Sequence, residues 1–268
     1  MNYYVCDLNP FLIQIGHVKI AWYGIMYAIS FILALVFVKQ NYILKGITLK
    51  NELYDTFLIY LLFGLIIGGR LGYVFFYGFI WFFNNPLDIV KVWEGGMSFH
   101  GGAIGTILAG VIFCRKHKKD FYTLADPAMP LVALGIALGR LGNFINGELW
   151  GKVTYVPWAV IFPEAGPLPR HPTQLYEALL EGVLMAIFLQ IILIKTRTKG
   201  LTFWLFIGSY GVIRYFIEYI REPDINPDLY KNGLIFGCFS MGQLLSLCMI
   251  LITLVYYITK IRGIKVHK

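Results

Sequence analysis

Seven stretches of this chain are apolar over the length an α-helix needs to cross a lipid bilayer, about 17 to 25 residues. They run near Ile20–Val38, Tyr54–Tyr73, Met97–Cys114, Pro127–Ile145, Leu175–Ile194, Leu201–Tyr219 and Gln243–Ile258. In hydrocarbon every backbone N–H and C=O must be satisfied within the protein, so runs of this kind become helices. The third is short and rich in glycine, and Asn84, Asn85 and Pro86 break the chain after the second. The expected fold is an all-α integral membrane protein of about seven transmembrane helices. Residues 1–268 are read as a single polytopic membrane domain, with 146–172 as a small extracytoplasmic cap too short for an ordinary separate domain.

Composition agrees with that solvent. The 268 residues are 58% hydrophobic and only 14% charged, where soluble domains carry about 25% charged residues. The net charge of +8 would point to nucleic acid in a soluble protein, but its placement explains it otherwise. Fourteen of the 23 basic residues cluster just beyond apolar runs, in the groups 39–50, 115–119, 195–199 and 260–268. Lys and Arg accumulate in cytoplasmic loops, so these ends are expected inside, the N-terminus outside and the C-terminus cytoplasmic. No nucleic-acid partner is expected. Cys6, Cys114, Cys238 and Cys248 form no spaced framework and no Cys/His cluster; they read as small hydrophobes, and neither a metal nor a cofactor is expected. The first residues lack a basic segment, apolar run and small-residue cleavage site in series, so no cleavable signal peptide is expected.

The nine other basic residues are Lys19, Arg70, Lys91, Arg140, Lys152, Arg170, Arg214, Arg221 and Lys231. They fall on the outer side, several near helix ends. An arginine at the helix centre costs at least about 2.5–3.5 kcal/mol, and an anionic ligand would offset that cost.

The run 139–151 holds Arg140, Asn143 and Gly147 at i, i+3 and i+7, on one helical face, together with Asn146, Glu148 and Gly151. A guanidinium binds phosphate through paired hydrogen bonds, and glycine admits close approach. A small-residue packing face with one snorkelling arginine is the plainer reading of Gly-Arg-Leu-Gly alone; the whole run favours a site. The same four residues recur at 69–72, as a repeat remnant or a shared packing solution. The run 93–102 carries His100 between glycines at the entry to the third helix; a neutral imidazole there can take a proton, although a lone histidine is more often structural. In 170–177, Pro172 opens a helix with His171, Thr173 and Gln174 as capping candidates. Glu177 and Glu181 follow at i, i+4 on that apolar helix and point their face toward protein or a wet cavity. Tyr210, Arg214 and Glu218 are spaced i, i+4, i+8, with Arg221 near the same face; Arg214 and Glu218 can pair. Trp22 fits the interfacial aromatic belt, and Tyr23 beside Gly24 is open to either reading.

Taken in order, WYG at 22–24, GGRLGYV at 68–74, GGMSFHGG at 95–102, GRLGNFINGELWG at 139–151, RHPTQLYE at 170–177, RYFIEYIREPD at 214–224 and SMGQ at 240–243 resemble bacterial prolipoprotein diacylglyceryl transferases over nearly the whole chain. Glu94 stands where Asp is common in that family. The resemblance implies a cytoplasmic-membrane enzyme of lipoprotein biosynthesis that moves the sn-1,2-diacylglyceryl group of phosphatidylglycerol to the lipobox cysteine of a preprolipoprotein. A thioether forms and glycerol phosphate leaves. It implies Arg140 and Arg214 as essential, and ties Tyr23, His100, Asn143, Asn146, Gly147, Glu148 and Gly151 to activity or lipid binding. Tyr210 and Glu218 join the substrate-binding set by their spacing from Arg214. In the expected mechanism the arginines stabilise the departing phosphate with the amides of Asn143 and Asn146, Glu148 and Glu218 orient the arginines, and His100 is a candidate base for the thiol. The rivals are a lipid or anion transporter, mildly favoured by the Gly-Arg-Leu-Gly repeat, a phosphoglycerol transferase, which would usually show metal-binding carboxylate clusters, and a scaffold without chemistry.

Overall fold

The computed structural model describes residues 3–15, 18–92, 95–222 and 238–266. Trp93, Glu94, Pro223, Asp224 and Lys231, weighed above, lie outside the described residues, as does the side chain of His100. The helices are α1 (Trp22–Leu44), α2 (Asn51–Tyr77), α3 (Phe79–Asn84), α4 (Phe99–Lys116), α5 (Phe121–Ala125), α6 (Met129–Ile145), α7 (Thr173–Glu177), α8 (Met185–Lys195), α9 (Leu201–Ile217) and α10 (Met241–Val266). Short strands β1 (Tyr4–Val5), β2 (Phe11–Ile15), β3 (Val18–Ala21), β4 (Val160–Ile161) and β5 (Pro169–Arg170) complete them.

Among the described residues five helical stretches are long and apolar enough to cross a membrane: Trp22–Leu44, Asn51–Phe75, Phe121–Ile145, Thr173–Lys195 and Met241–Lys260. Each contains or overlaps one of the apolar runs. The other two expected spans are shorter helices, α4 of 18 residues and α9 of 17, or about 25–27 Å at 1.5 Å per residue. Phe31, Ile32, Phe63, Ile67, Leu254 and Val255 are exposed along these helices. That surface suits hydrocarbon rather than water.

The chain divides into two compact units, Met1–Lys45 with Asp126–Lys268, and Gly46–Ala125. In the second unit α2 and α4 pack backbone to backbone. A Cβ on Gly68 would lie 2.7 Å from the Gly105 Cα, and one on Gly72 2.7 Å from the Gly101 Cα. This is the small-residue contact that brings helices together where no water drives them. Ser98 caps α4 by accepting the Gly101 N–H at 3.3 Å, and its own N–H donates to the Gly69 carbonyl at 2.8 Å.

In the first unit α6 packs against α1, α8 and the segment before α8. Asp126 caps α9 from a distance in sequence: its carboxylate accepts the N–H groups of Gly200 at 2.6 Å and Phe203 at 2.8 Å, satisfying donors that the helix start leaves open. Asn41 and Gln190 exchange amide hydrogen bonds at 2.9 and 3.2 Å, and Asn41 also donates to the Pro127 carbonyl. The Lys45 ammonium reaches the Leu193 carbonyl at 2.6 Å, closing the end of α8 as a cation should. Between α7 and α8, residues Ala178–Leu184 form a π-helical turn.

The segment 146–172 does not fold by itself. Its β4 pairs in parallel with β1 near the N-terminus and antiparallel with β5. Cys6, Val160 and Phe162 form its small core, with Phe144 and Trp150 packed against them. Cys6 is there the small hydrophobe expected of it, buried at 4% exposure.

Candidate active site

Arg140 stands near the end of α6, Glu177 at the end of α7, and Arg214 and Glu218 at the end of α9. Packing brings these ends together. Glu177, only 1% exposed, sits between two cations: its Oε2 is 2.6 Å from the Arg140 Nε, and its Oε1 is 3.0 Å from the Arg214 Nη1. Arg214 also donates to Glu218, the pair expected from their i, i+4 spacing. Arg221 flanks both carboxylates, 3.8 Å from Glu177 and 3.6 Å from Glu218. Among the described residues no acceptor meets the two terminal nitrogens of Arg140. Its Nε alone is engaged, which leaves the paired edge that suits a phosphate.

Glu218 is fixed from a third helix. Ser240 and Gln243 make a capping box at the start of α10. The Gln243 N–H donates to the Ser240 hydroxyl at 3.1 Å, and the Ser240 N–H donates to the Gln243 side chain at 3.0 Å, the reciprocal pattern that Ser-x-x-Gln encodes. The Ser240 hydroxyl in turn donates to Glu218 at 2.6 Å. Gly242 lies under that carboxylate, where a Cβ would meet the Glu218 Cδ at 2.5 Å.

Beyond Arg140 the helix unwinds into a strained loop. Gly147 has φ 64° and Leu149 φ 60°; a bulky residue in the left-handed region costs about 1–3 kcal/mol and is held there by its surroundings. The holders are the first residues of α7. Thr173 donates to the Leu149 carbonyl at 3.1 Å and Gln174 to the Glu148 carbonyl at 2.6 Å. The Glu148 carboxylate then accepts the amides of Asn143 at 2.8 Å and Asn146 at 3.2 Å. Glu218 thus holds Arg214 as expected, whereas Glu148 holds the two asparagines and the place beside Arg140 belongs to Glu177.

Gly151 is a backbone crossing. Its N–H donates to the His171 carbonyl at 2.9 Å and its carbonyl accepts from Arg170 at 3.2 Å. A Cβ there would lie 2.7 Å from His171 and 2.8 Å from the Ile220 carbonyl. Tyr23 begins α1 against Gly142, where a Cβ would come within 2.8 Å of its ring, and its hydroxyl lies 3.1 Å from that of Tyr27. Tyr210 is buried one turn before Arg214. His100 lies in the first turn of α4, in the second unit.

Sequence reasoning left Glu177 out of the site, though two carboxylates in an apolar helix were its signal. Thr173, Gln174, Ser240 and Gln243 were also left out; their types match caps, and their service to Glu148 and Glu218 is visible only in the packed chain. The repeated Gly-Arg-Leu-Gly has two different outcomes. Arg70 donates to four carbonyls, those of Asp88, Ile89, Gly95 and Gly96, at 2.5–3.1 Å, and stacks on Phe82. It is a structural clamp within its own unit, so the repeat lends no weight to paired anion sites of a transporter.

Residues 10–259 match the family model for prolipoprotein diacylglyceryl transferase. Three curated relatives carry the name phosphatidylglycerol–prolipoprotein diacylglyceryl transferase. The one from Geobacter sulfurreducens is 47% identical over 92% of this chain and 93% of its own. The one from Vibrio parahaemolyticus is 46% identical over 92% and 88%, and the one from Oleidesulfovibrio alaskensis 47% over 91% and 90%.

Proposed function

The chain belongs to the prolipoprotein diacylglyceryl transferase family, and on that premise we propose how its buried charges serve the reaction. The protein is a membrane enzyme that transfers the sn-1,2-diacylglyceryl group of phosphatidylglycerol to the lipobox cysteine of preprolipoproteins, the first step of lipoprotein maturation. The C–S bond of a thioether forms as the C–O bond to phosphate breaks.

The observation that carries the site assignment is the bridge in which one carboxylate, Glu177, orients guanidiniums from two helices. Arg140 and Arg214, so oriented, bind the phosphodiester and stabilise the charge that grows on the departing glycerol phosphate. In a low-dielectric site such donors are worth more than in water. Asn143 and Asn146, set by Glu148, supply further N–H groups beside them, and Gly147 and Gly151 let the loop take its shape. Tyr23, Tyr210 and Glu218 complete the wall. The attacking sulfur is a thiolate, with an unperturbed thiol pKa of about 8.5. His100 stays a candidate base on its sequence position. Seven spans with the N-terminus outside and the C-terminus cytoplasmic, in a bacterial cytoplasmic membrane with residues 146–172 as an outer cap, place the arginines at headgroup level, where a translocated lipobox also arrives.

The test is to incubate the purified protein with phosphatidylglycerol and a lipobox peptide and to weigh the peptide by mass spectrometry. A diacylglyceryl increment on the cysteine peptide, and none on its Cys-to-Ala counterpart, is expected. Near-normal transfer by Arg140→Ala would refute the phosphate clamp.

A further inference from the structure

Glu181 is a fully buried acidic residue beside this cluster that the scheme above leaves unused. Its exposure is 0%, and neither carboxyl oxygen has a hydrogen-bond partner among the described residues. It sits in the π-helical turn Ala178–Leu184, one turn beyond Glu177; π-bulges within α-helices occur frequently at functional sites. The next residue, Gly182, lets the turn press on α6: a Cβ there would lie 2.7 Å from the Ala137 Cα, one turn before Arg140. Arg140, Arg214 and Arg221 act on Glu181 electrostatically, together with Glu177 and Tyr210.

The span begins at Thr173, and Glu181 lies one turn farther along it than Glu177, the carboxylate that both arginines contact. A phospholipid presents its groups in that same order. The phosphate is outermost, and the glyceryl carbon that changes partners lies on the acyl side of it. If the arginines hold the phosphate, sulfur attacks at the level one turn deeper. Resting on that reading, we propose that Glu181 is the group that takes the proton from the lipobox thiol and returns it to the departing phosphate.

The three arginines and the carboxylates Glu177, Glu218 and Glu181 cancel in charge when all are ionised. A carboxylate without hydrogen bonds in a dry interior is held by charge alone, and a proton bound to it removes a buried charge. The thiol S–H bond breaks, its proton goes to the Glu181 carboxylate, and the sulfur electron pair forms the C–S bond. The C–O electron pair leaves with the phosphate, which accepts the proton from Glu181. Glycerol phosphate departs as a monoanion, the charge that phosphatidylglycerol brought, and no outside acid or base is consumed.

The experiment compares wild type with Glu181→Gln for binding of phosphatidylglycerol in mixed micelles and for thioether formation across pH. Expected are binding within about threefold of wild type and transfer slower by about 100-fold or more near pH 7, the scale of general base catalysis. The gap should close as pH rises past the thiol pKa, because solvent then supplies the thiolate. Wild-type transfer by Glu181→Gln overturns the proposal; so does an equal loss at every pH, or a loss of lipid binding, either of which marks a structural role. Should that variant fail to fold, Glu181→Asp decides: the acid limb of its pH–rate profile must move, and an unchanged profile refutes proton transfer through this residue. Absence of thioether in the wild type would instead refute the transferase reading itself.

Discussion

The Arg140 Nε lies 2.6 Å from the Glu177 Oε2, a pairing between α6 and α7 that leaves the other oxygen of the same carboxylate to Arg214 at 3.0 Å. Glu177→Ala would leave two buried guanidiniums facing each other without their shared counter-ion. Removing one partner of a buried pair costs about 3–5 kcal/mol, so the variant should unfold at a clearly lower temperature in detergent. Its transfer rate should fall by about 100-fold, since displacements near 1 Å have that effect. Thermal melts and the peptide mass assay read both, and an unshifted melt would show that the bridge contributes nothing to the fold.

Glu148 joins Asn143 and Asn146 into one unit. Hydrogen bonds to a charged group are worth about 1.5–3 kcal/mol, so Glu148→Ala should lower both stability and transfer. Because Asn143→Ala breaks part of the same unit, the double variant should lose less than the sum of the singles, with a coupling of about 0.5–3 kcal/mol. Simple additivity in a double-mutant cycle on kcat/KM would argue against a shared role.

The α2–α4 contact in the second unit depends on glycine. Gly68→Ala or Gly105→Ala would place a methyl carbon 2.7 Å from the Cα of the other glycine. Overpacking of this kind costs about 1–3 kcal/mol. Gly24→Ala, with nothing within 4 Å of the added carbon, is the matched control. Equal melting temperatures for all three would mean that α2 and α4 part more easily than their packing indicates.

Burial holds the His171 imidazole below its ordinary value of 6.5, because a charged ring loses water there. The unfolded chain therefore binds a proton on this residue at a higher pH than the folded one. The resulting stability is present above about pH 6.5 and is lost as pH falls through the folded value. His171→Gln should flatten the decline in melting temperature between about pH 7 and pH 5, whereas an unchanged slope would assign the acid sensitivity to other groups.

Much of this molecule can be read without its coordinates, for identifiable reasons. Hydrocarbon demands a backbone that satisfies its own N–H and C=O groups, and continuous apolar runs as long as Leu175–Ile194 and Gln243–Ile258 do so as helices. Local spacing is equally legible: Arg214 and Glu218 pair across one turn, and Ser240 and Gln243 close a capping box within four residues. Span lengths are less legible. Helix α9 stops at Ile217, where its end turns toward Ser240 and Glu177, so apolar composition outruns the helix by two residues.

The site itself was decided by packing. Gly-Arg-Leu-Gly occurs twice, yet one arginine is surrounded by four backbone carbonyls and the other, among the described residues, meets no acceptor at its terminal nitrogens, a difference no local pattern contains. Glu148 was expected beside the arginines and instead holds two amides, because Gln174 and Thr173 turn its loop with Leu149 at positive φ. Glu177 meets Arg140 and Arg214 across 37 residues on either side. The sequence by itself determined the solvent, the helices and the kinds of group available. Tertiary structure alone decided which charges share a carboxylate, since a buried ion pair depends on contacts of a few ångströms between helices whose register sequence spacing does not set.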